Sequence, residues 1–180
     1  MLVFGGSQGA RSINRAMLEA LPFLEGMNGL KIVHQTGTAE YEAMVAAYQQ
    51  ASSNGRIQVE IHSFISDMAS AYADADLLIC RAGATSIAEM TSCGKPAILI
   101  PFPFAVNDHQ TENARILADA AAAELIPEKE LTGKKLADSI KILFADRAVL
   151  AQMAENSARL GNPDAAKVIV DECLRLVNSN

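Results

Sequence analysis

With 180 residues, half of them hydrophobic and a fifth charged, the chain has material for one substantial core. No apolar run approaches the roughly 18 residues of a membrane span, and a net charge of −6 argues against nucleic acid as a partner. Cys80, Cys93 and Cys173 are isolated, and neither they nor His34, His62 and His109 fall at metal-ligand spacing. Reduced thiols, no metal and a cytoplasmic α/β domain are therefore expected. The opening MLVFGGSQG has no basic region, so no signal peptide is read there.

The first strand is predicted over residues 1–4, followed at once by the glycine loop Gly5-Gly6-Ser7-Gln8-Gly9. A strand with almost no lead-in is expected of a domain cut from a longer protein. Ile13, Ala16, Met17, Ala20 and Leu21 recur at helical spacing, with an end expected at Pro22 or near Gly26. A second strand (30–35) and the turn Thr36-Gly37-Thr38 lead to a helix marked by Tyr41, Met44, Val45 and Tyr48, running out at 52–55. Residues 57–61 alternate as a third strand, Ser66 or Asp67 caps a short helix through Ala73, and 77–80 is the fourth strand.

The stretch 80–96, CRAGATSIAEMTSCGKP, turns from that strand into a short helix ending near Gly94. A fifth strand (97–101), a loop with Phe102-Pro103-Phe104, a helix over 109–121 and a sixth strand (123–126) follow. Helices are predicted at 131–144, 147–160 and 163–177, with Asp108 as an N-cap and Pro163 at a first helical position. Near-continuous apolar strands alternating with helices predict a Rossmann-like, doubly wound parallel sheet of about six strands in one domain. In the order 3-2-1-4-5-6, strands 1 and 4 are neighbours at the switch point. The loops at 5–9 and 81–84 then face one crevice.

Each motif has competing readings. GGSQGAR is not a P-loop, and it is a poor dinucleotide fingerprint because Phe4 stands at the first glycine position. Nor does Val33-His34-Gln35 supply the acidic residue that holds a ribose. Gly5-x-Ser7-x-Gly9 matches a serine esterase elbow, with Asp108 and His109 in the right order. Those two are sequence neighbours, however, and no strands precede the elbow. A tight structural turn is the plain alternative.

The helix after Cys80 offers an anion its unpaired N–H groups and dipole. Glu89 is expected on its first turn. Ser86 with Glu89 also fits a self-capping box, whereas Thr85 as N-cap would leave Glu89 free for hydroxyls. A packing or docking module without catalysis is a third alternative.

Taken in order, GGSQGAR with Asn14, HQTG (34–37), FISDM (64–68), CRAGATSIAE (80–89), GKPAILIPFP (94–103) and DHQTENA (108–114) resemble the C-terminal half of the MurG family. Its members transfer N-acetylglucosamine from UDP-GlcNAc to undecaprenyl-pyrophosphoryl-MurNAc-pentapeptide, converting lipid I to lipid II of bacterial peptidoglycan. The resemblance implies the C-terminal domain of a GT-B glycosyltransferase, a single UDP-sugar donor domain over 1–180.

It implies that Gly6, Ser7, Gln8 and the N–H groups of Ala84, Thr85 and Ser86 face the diphosphate. Glu89 holds the ribose, Ile65 meets uracil through its backbone with Met68 beside it, and His109 and Gln110 contact GlcNAc. No metal or other cofactor is implied, because amides and a helix dipole suffice for departing UDP. The missing N-terminal domain is implied to carry the lipid-linked acceptor site, the general base and the contact with the cytoplasmic face of the inner membrane. This half alone is then expected to be inactive.

Overall fold

The structure is a computed structural model and describes residues 1–51 and 57–178. The expected end of the second helix at 52–55 lies outside them. Chain order runs β1 (Leu2–Phe4), α1 (Arg11–Leu24), β2 (Lys31–Gln35), α2 (Tyr41–Ala51), β3 (Gln58–His62) and α3 (Met68–Asp74). It continues with β4 (Leu78–Cys80), α4 (Ala84–Ser92), β5 (Ala97–Leu99), α5 (His109–Asp119) and β6 (Ala123–Leu125). Three helices close the chain: α6 (Gly133–Ala145), α7 (Arg147–Leu160) and α8 (Ala165–Asn178). All strand pairs are parallel, in the order β3-β2-β1-β4-β5-β6. This is the predicted Rossmann-like sheet.

Side chains alternate across a strand, so each short apolar strand feeds two cores. Leu2, Phe4, Leu78, Cys80, Ala97 and Leu99 meet Tyr72 of α3, Met90 of α4 and Leu117 of α5 on one face. Val3, Ile79 and Ile98 meet Met17 and Leu21 of α1 and Leu136 and Ile140 of α6 on the other. Burial on both faces is why the strands read as unbroken apolar runs. In the core beneath α3, α4 and α5 the Cys80 thiol is held protonated, since burial raises its pKa to about 12.

Of the two ends expected for α1 the one near Gly26 holds, and the start of α8 departs from expectation. α1 continues through Pro22 to Leu24. Proline inside a helix costs about 3 kcal/mol, but Leu21 and Leu24 are both buried in the core that α1 shares with α6. At about 1.5–3 kcal/mol for each leucine, that burial outweighs the lost bond. α8 starts at Ala165, whose N–H closes a turn on Asn162 O at 3.2 Å, so Pro163 precedes the helix instead of opening it.

All of α8 lies exposed, including Val168, Ile169, Val170, Leu174, Leu176 and Val177. Among the described residues, no helix is long and apolar enough to cross a membrane.

Candidate functional site

Phe4 and Cys80 are register partners on adjacent β1 and β4. The loops that leave them therefore start side by side at the carboxyl edge of the sheet, as the switch-point rule requires. The first loop is folded tightly: Gly9 N–H donates to Gly6 O at 3.0 Å, and both glycines have positive φ, +77° and +89°. Ser7 and Gln8 are exposed at its tip.

Behind it stands the β2–α2 segment. A Cβ on Gly9 would lie 1.9 Å from Thr36 O, and one on Gly37 would lie 2.2 Å from Gln8 O. The two loops interlock through backbone contacts that only glycine permits. Buried Gln35, the last residue of β2, adds a bridge. Its Nε2 donates to Gly6 O at 3.0 Å, and its Oε1 accepts from Ile65 N–H at 2.7 Å. The glycine loop and the segment before α3 thus share one side chain.

A buried polar chain supports this arrangement from below. His34 Nε2 lies 3.0 Å from Asn14 Oδ1 and its Nδ1 2.8 Å from Tyr48 Oη. The Asn14 carbonyl can only accept, so the neutral imidazole carries its proton on Nε2 and accepts the Tyr48 hydroxyl at Nδ1. Burial drives the His34 pKa down to about 4 and keeps the ring neutral. Asn14 Nδ2 in turn donates to Thr36 O (2.9 Å) and Glu40 Oε2 (2.6 Å), which fixes the loop that braces Gly9.

On the other side, α4 begins earlier than predicted. Gly83, not Thr85 or Ser86, is the N-cap, extended at φ −67° and ψ 148° with no side-chain cap. The first helical bond runs from Ile87 N to Gly83 O at 2.9 Å, so the N–H groups of Ala84, Thr85 and Ser86 lie ahead of the ladder. Glu89 accordingly falls on the second turn, not the first. It does not close a capping box with Ser86: its Oε2 accepts from Tyr72 Oη at 2.9 Å.

Arg81, between strand and glycine, ties the end of β5 to α1. Its guanidinium donates to Ile100 O (3.1 Å), Pro101 O (3.0 Å) and Ser12 Oγ (3.0 Å). It also pairs with Glu128 and lies 5.3 Å from the Phe102 ring centroid. Ser12 completes the cycle by donating to Glu128 Oε2 at 2.9 Å.

Among the remaining predicted residues, Ile65 is buried and Met68 half-buried at the start of α3, where Asp67 (not Ser66) caps through Ser70 N–H at 3.0 Å. Gln110 Oε1 accepts from Phe102 N–H at 3.0 Å, binding α5 to the β5 loop. Asn113 Nδ2 donates to Ala82 O at 3.0 Å and docks α5 against the β4 loop. His109 is exposed beside them.

Asp108 takes the N-cap position in left-handed backbone but makes no cap bond, because its Oδ1 accepts the Thr111 hydroxyl at 2.6 Å. Its carboxylate thus folds forward onto its own helix rather than toward an imidazole, as the acid of an esterase triad would have to. Among the described residues, no cluster of His, Cys, Asp and Glu could hold a metal ion.

Sequence reasoning missed Gln35, Tyr72 and Arg81 as parts of this site. A polar residue ending a buried strand (Gln35, Arg81) was the available signal for two of them. Tyr72 carried no signal of its own in the sequence.

The family model for the glycosyltransferase family 28 C-terminal domain matches residues 1–169. A UDP-N-acetylglucosamine–N-acetylmuramyl-(pentapeptide) pyrophosphoryl-undecaprenol N-acetylglucosamine transferase of Syntrophus aciditrophicus is 56% identical over 178 residues, covering 98% of this chain and 48% of that protein. The transferase of the same name from Myxococcus xanthus is 48% identical, covering 98% and 45%. The crystal structure of Acinetobacter baumannii MurG superposes with a TM-score of 0.87 at 37% identity, covering 97% of this chain and 49% of that one. The chain thus spans about half the length of the relatives it matches. It belongs to the glycosyltransferase family 28 C-terminal domains and resembles that half of the MurG transferases.

Proposed function

We propose that this chain is the donor-binding domain of a transferase that moves GlcNAc from UDP-GlcNAc to undecaprenyl-pyrophosphoryl-MurNAc-pentapeptide. One observation carries the reading. The glycine loop and the start of α4 leave neighbouring strands at one level, with the Glu89 carboxylate one turn further along. Backbone N–H groups suit a diphosphate, and a carboxylate suits a vicinal diol.

In this reading Gly6, Ser7, Gln8 and the N–H groups of Ala84, Thr85 and Ser86 receive the diphosphate, and Glu89 the ribose. Ile65 and Met68 flank uracil. Since the Ile65 N–H is committed to Gln35, backbone contact with the base falls to its carbonyl. That carbonyl pairs with the N3–H that uracil carries and cytosine lacks. His109 and the Gln110 amide reach the GlcNAc hydroxyls.

As the glycosidic bond breaks, charge grows on UDP. The fixed amides and the α4 dipole stabilise it without a metal ion. No residue of this chain is assigned as general base. That group, the lipid-linked acceptor and contact with the cytoplasmic face of the membrane belong to an N-terminal domain, for which exposed α8 offers an apolar surface. Donor binding without a positioned acceptor gives no turnover.

Titration of the chain with UDP, UDP-GlcNAc, CDP and ADP by calorimetry or NMR tests the proposal. Binding of UDP and UDP-GlcNAc in preference to CDP and ADP is expected. Equal binding of ADP, or none of UDP, would refute it.

A further inference from the structure

Glu89 is exposed on α4, and a glutamate side chain free in water gives up rotamer freedom whenever it closes on a ligand. Here that freedom is already restricted. Oε2 accepts the Tyr72 hydroxyl at 2.9 Å. The Tyr72 ring is 2% exposed and meets Phe4 edge-on, with centroids 5.8 Å apart and planes at 85°. The hydroxyl is therefore offered from a rigid base, and Phe4 is also the residue from which the glycine loop departs.

We infer that Tyr72 is a positioning residue for ribose: its hydroxyl pins Glu89 Oε2 and turns Oε1 toward the 2′- and 3′-hydroxyls of a ribonucleoside diphosphate. The inference rests on the donor-site reading and adds to it a residue that touches no ligand. Burial and the bond to Glu89 both raise the Tyr72 pKa far above its ordinary range, so the phenol stays a donor. A carboxylate oxygen can accept more than one hydrogen bond, so the tether does not use up Glu89. Tyr72 also lies on the helix that Met68 begins, so the same short element flanks the base and orients the ribose clamp.

The test compares UDP with 2′,3′-dideoxyuridine diphosphate (the deoxy nucleotide) on the 180-residue chain, on Tyr72→Phe, on Glu89→Ala and on the double variant, by calorimetry. Tyr72→Phe should weaken UDP about five- to tenfold, the worth of one hydrogen bond. The deoxy nucleotide should weaken by less than about twofold, so that the preference for ribose collapses. The double variant should bind UDP no worse than Glu89→Ala.

A packing role alone would lower the melting temperature, or weaken both nucleotides equally, with the preference intact. That result overturns the inference. No UDP binding by the unaltered chain refutes the donor reading itself. UDP binding that depends on Glu89 but not on Tyr72 refutes only the positioning role. Should Tyr72→Phe not fold, the Tyr72 13Cζ resonance of the unaltered chain decides: it must move more with UDP than with the deoxy nucleotide, and equal movement overturns the inference.

Discussion

Mild acidification should destabilise this domain chiefly through one residue, His34. The ring has no exposed surface, and both of its nitrogens are committed, one as donor to Asn14 and one as acceptor from Tyr48. A second proton would leave Nδ1–H facing a hydroxyl that must turn around, with Glu40 reached only across Asn14. The folded pKa of about 4 compares with 6.5 for a free imidazole. Between those values the unfolded chain binds the proton and the folded one does not. The stabilising contribution is complete above about pH 6.5 and is lost as pH falls to about 4.

At 1.36 kcal/mol per unit, a gap of about 2.5 units amounts to about 3 kcal/mol, a large share of a small domain's stability. Urea denaturation at intervals from pH 7.5 to 4.5 measures it, with His34→Gln as the reference. Glutamine can still accept from Tyr48 and donate to Asn14, but does not titrate. Stopping at pH 4.5 limits the contribution of carboxylates such as Glu19 and Glu60, whose pKa values are lowered by bonds from Arg15 and Lys31. Their stabilisation is lost mainly at more acid pH. If unaltered chain and variant lose stability in parallel over this window, the neutral-His34 account is wrong.

Gly9→Ala should destabilise the domain by more than about 3 kcal/mol, because the new methyl would meet Thr36 O in left-handed backbone. A denaturation midpoint equal to that of the unaltered chain would contradict the interlock. Arg81→Met leaves Glu128 and two carbonyls without their cation, a loss of about 3 kcal/mol, at the lower end for such pairs because Glu128 keeps some solvent access. Adding Glu128→Leu should recover much of it, as a double-mutant cycle by denaturation would show. Replacing Ile169 and Leu174 by serine should shift stability by no more than about 0.5 kcal/mol, since α8 buries nothing in this domain. A larger loss in thermal unfolding would mean that α8 packs on the core.

The sheet order was legible because its causes are local. Unbroken apolar strands such as 77–80 required cover on both faces, and the glycine stops placed the loops. The site was legible in pieces. Chemistry of single residues pointed to the glycine loop and to Glu89, but the capping of α4 was misread. Ser86 is a better N-cap than glycine and Thr85 has a hydroxyl to offer, yet the helix starts where the backbone turns, at Gly83.

What stayed hidden were bonds between residues far apart in sequence. Tyr72 and Glu89, Gln35 and Ile65, and Arg81 and Glu128 are separated by 17, 30 and 47 positions. No periodicity records such pairs. His34 shows the same limit: its sequence neighbours suggest a strand end, while its tautomer is set by α1 and α2.

The Gln35 amide gives the site a property that neither of its loops has alone. One end holds Gly6 O and the other Ile65 N–H, so ordering either segment restrains the other. Under the donor reading, uridine and pyrophosphate added as separate molecules should each improve the other's affinity by the same factor, since linkage is reciprocal. A nucleotide then binds more tightly than its two pieces taken independently, and cutting the link with Gln35→Ala leaves two sites that no longer sense one another.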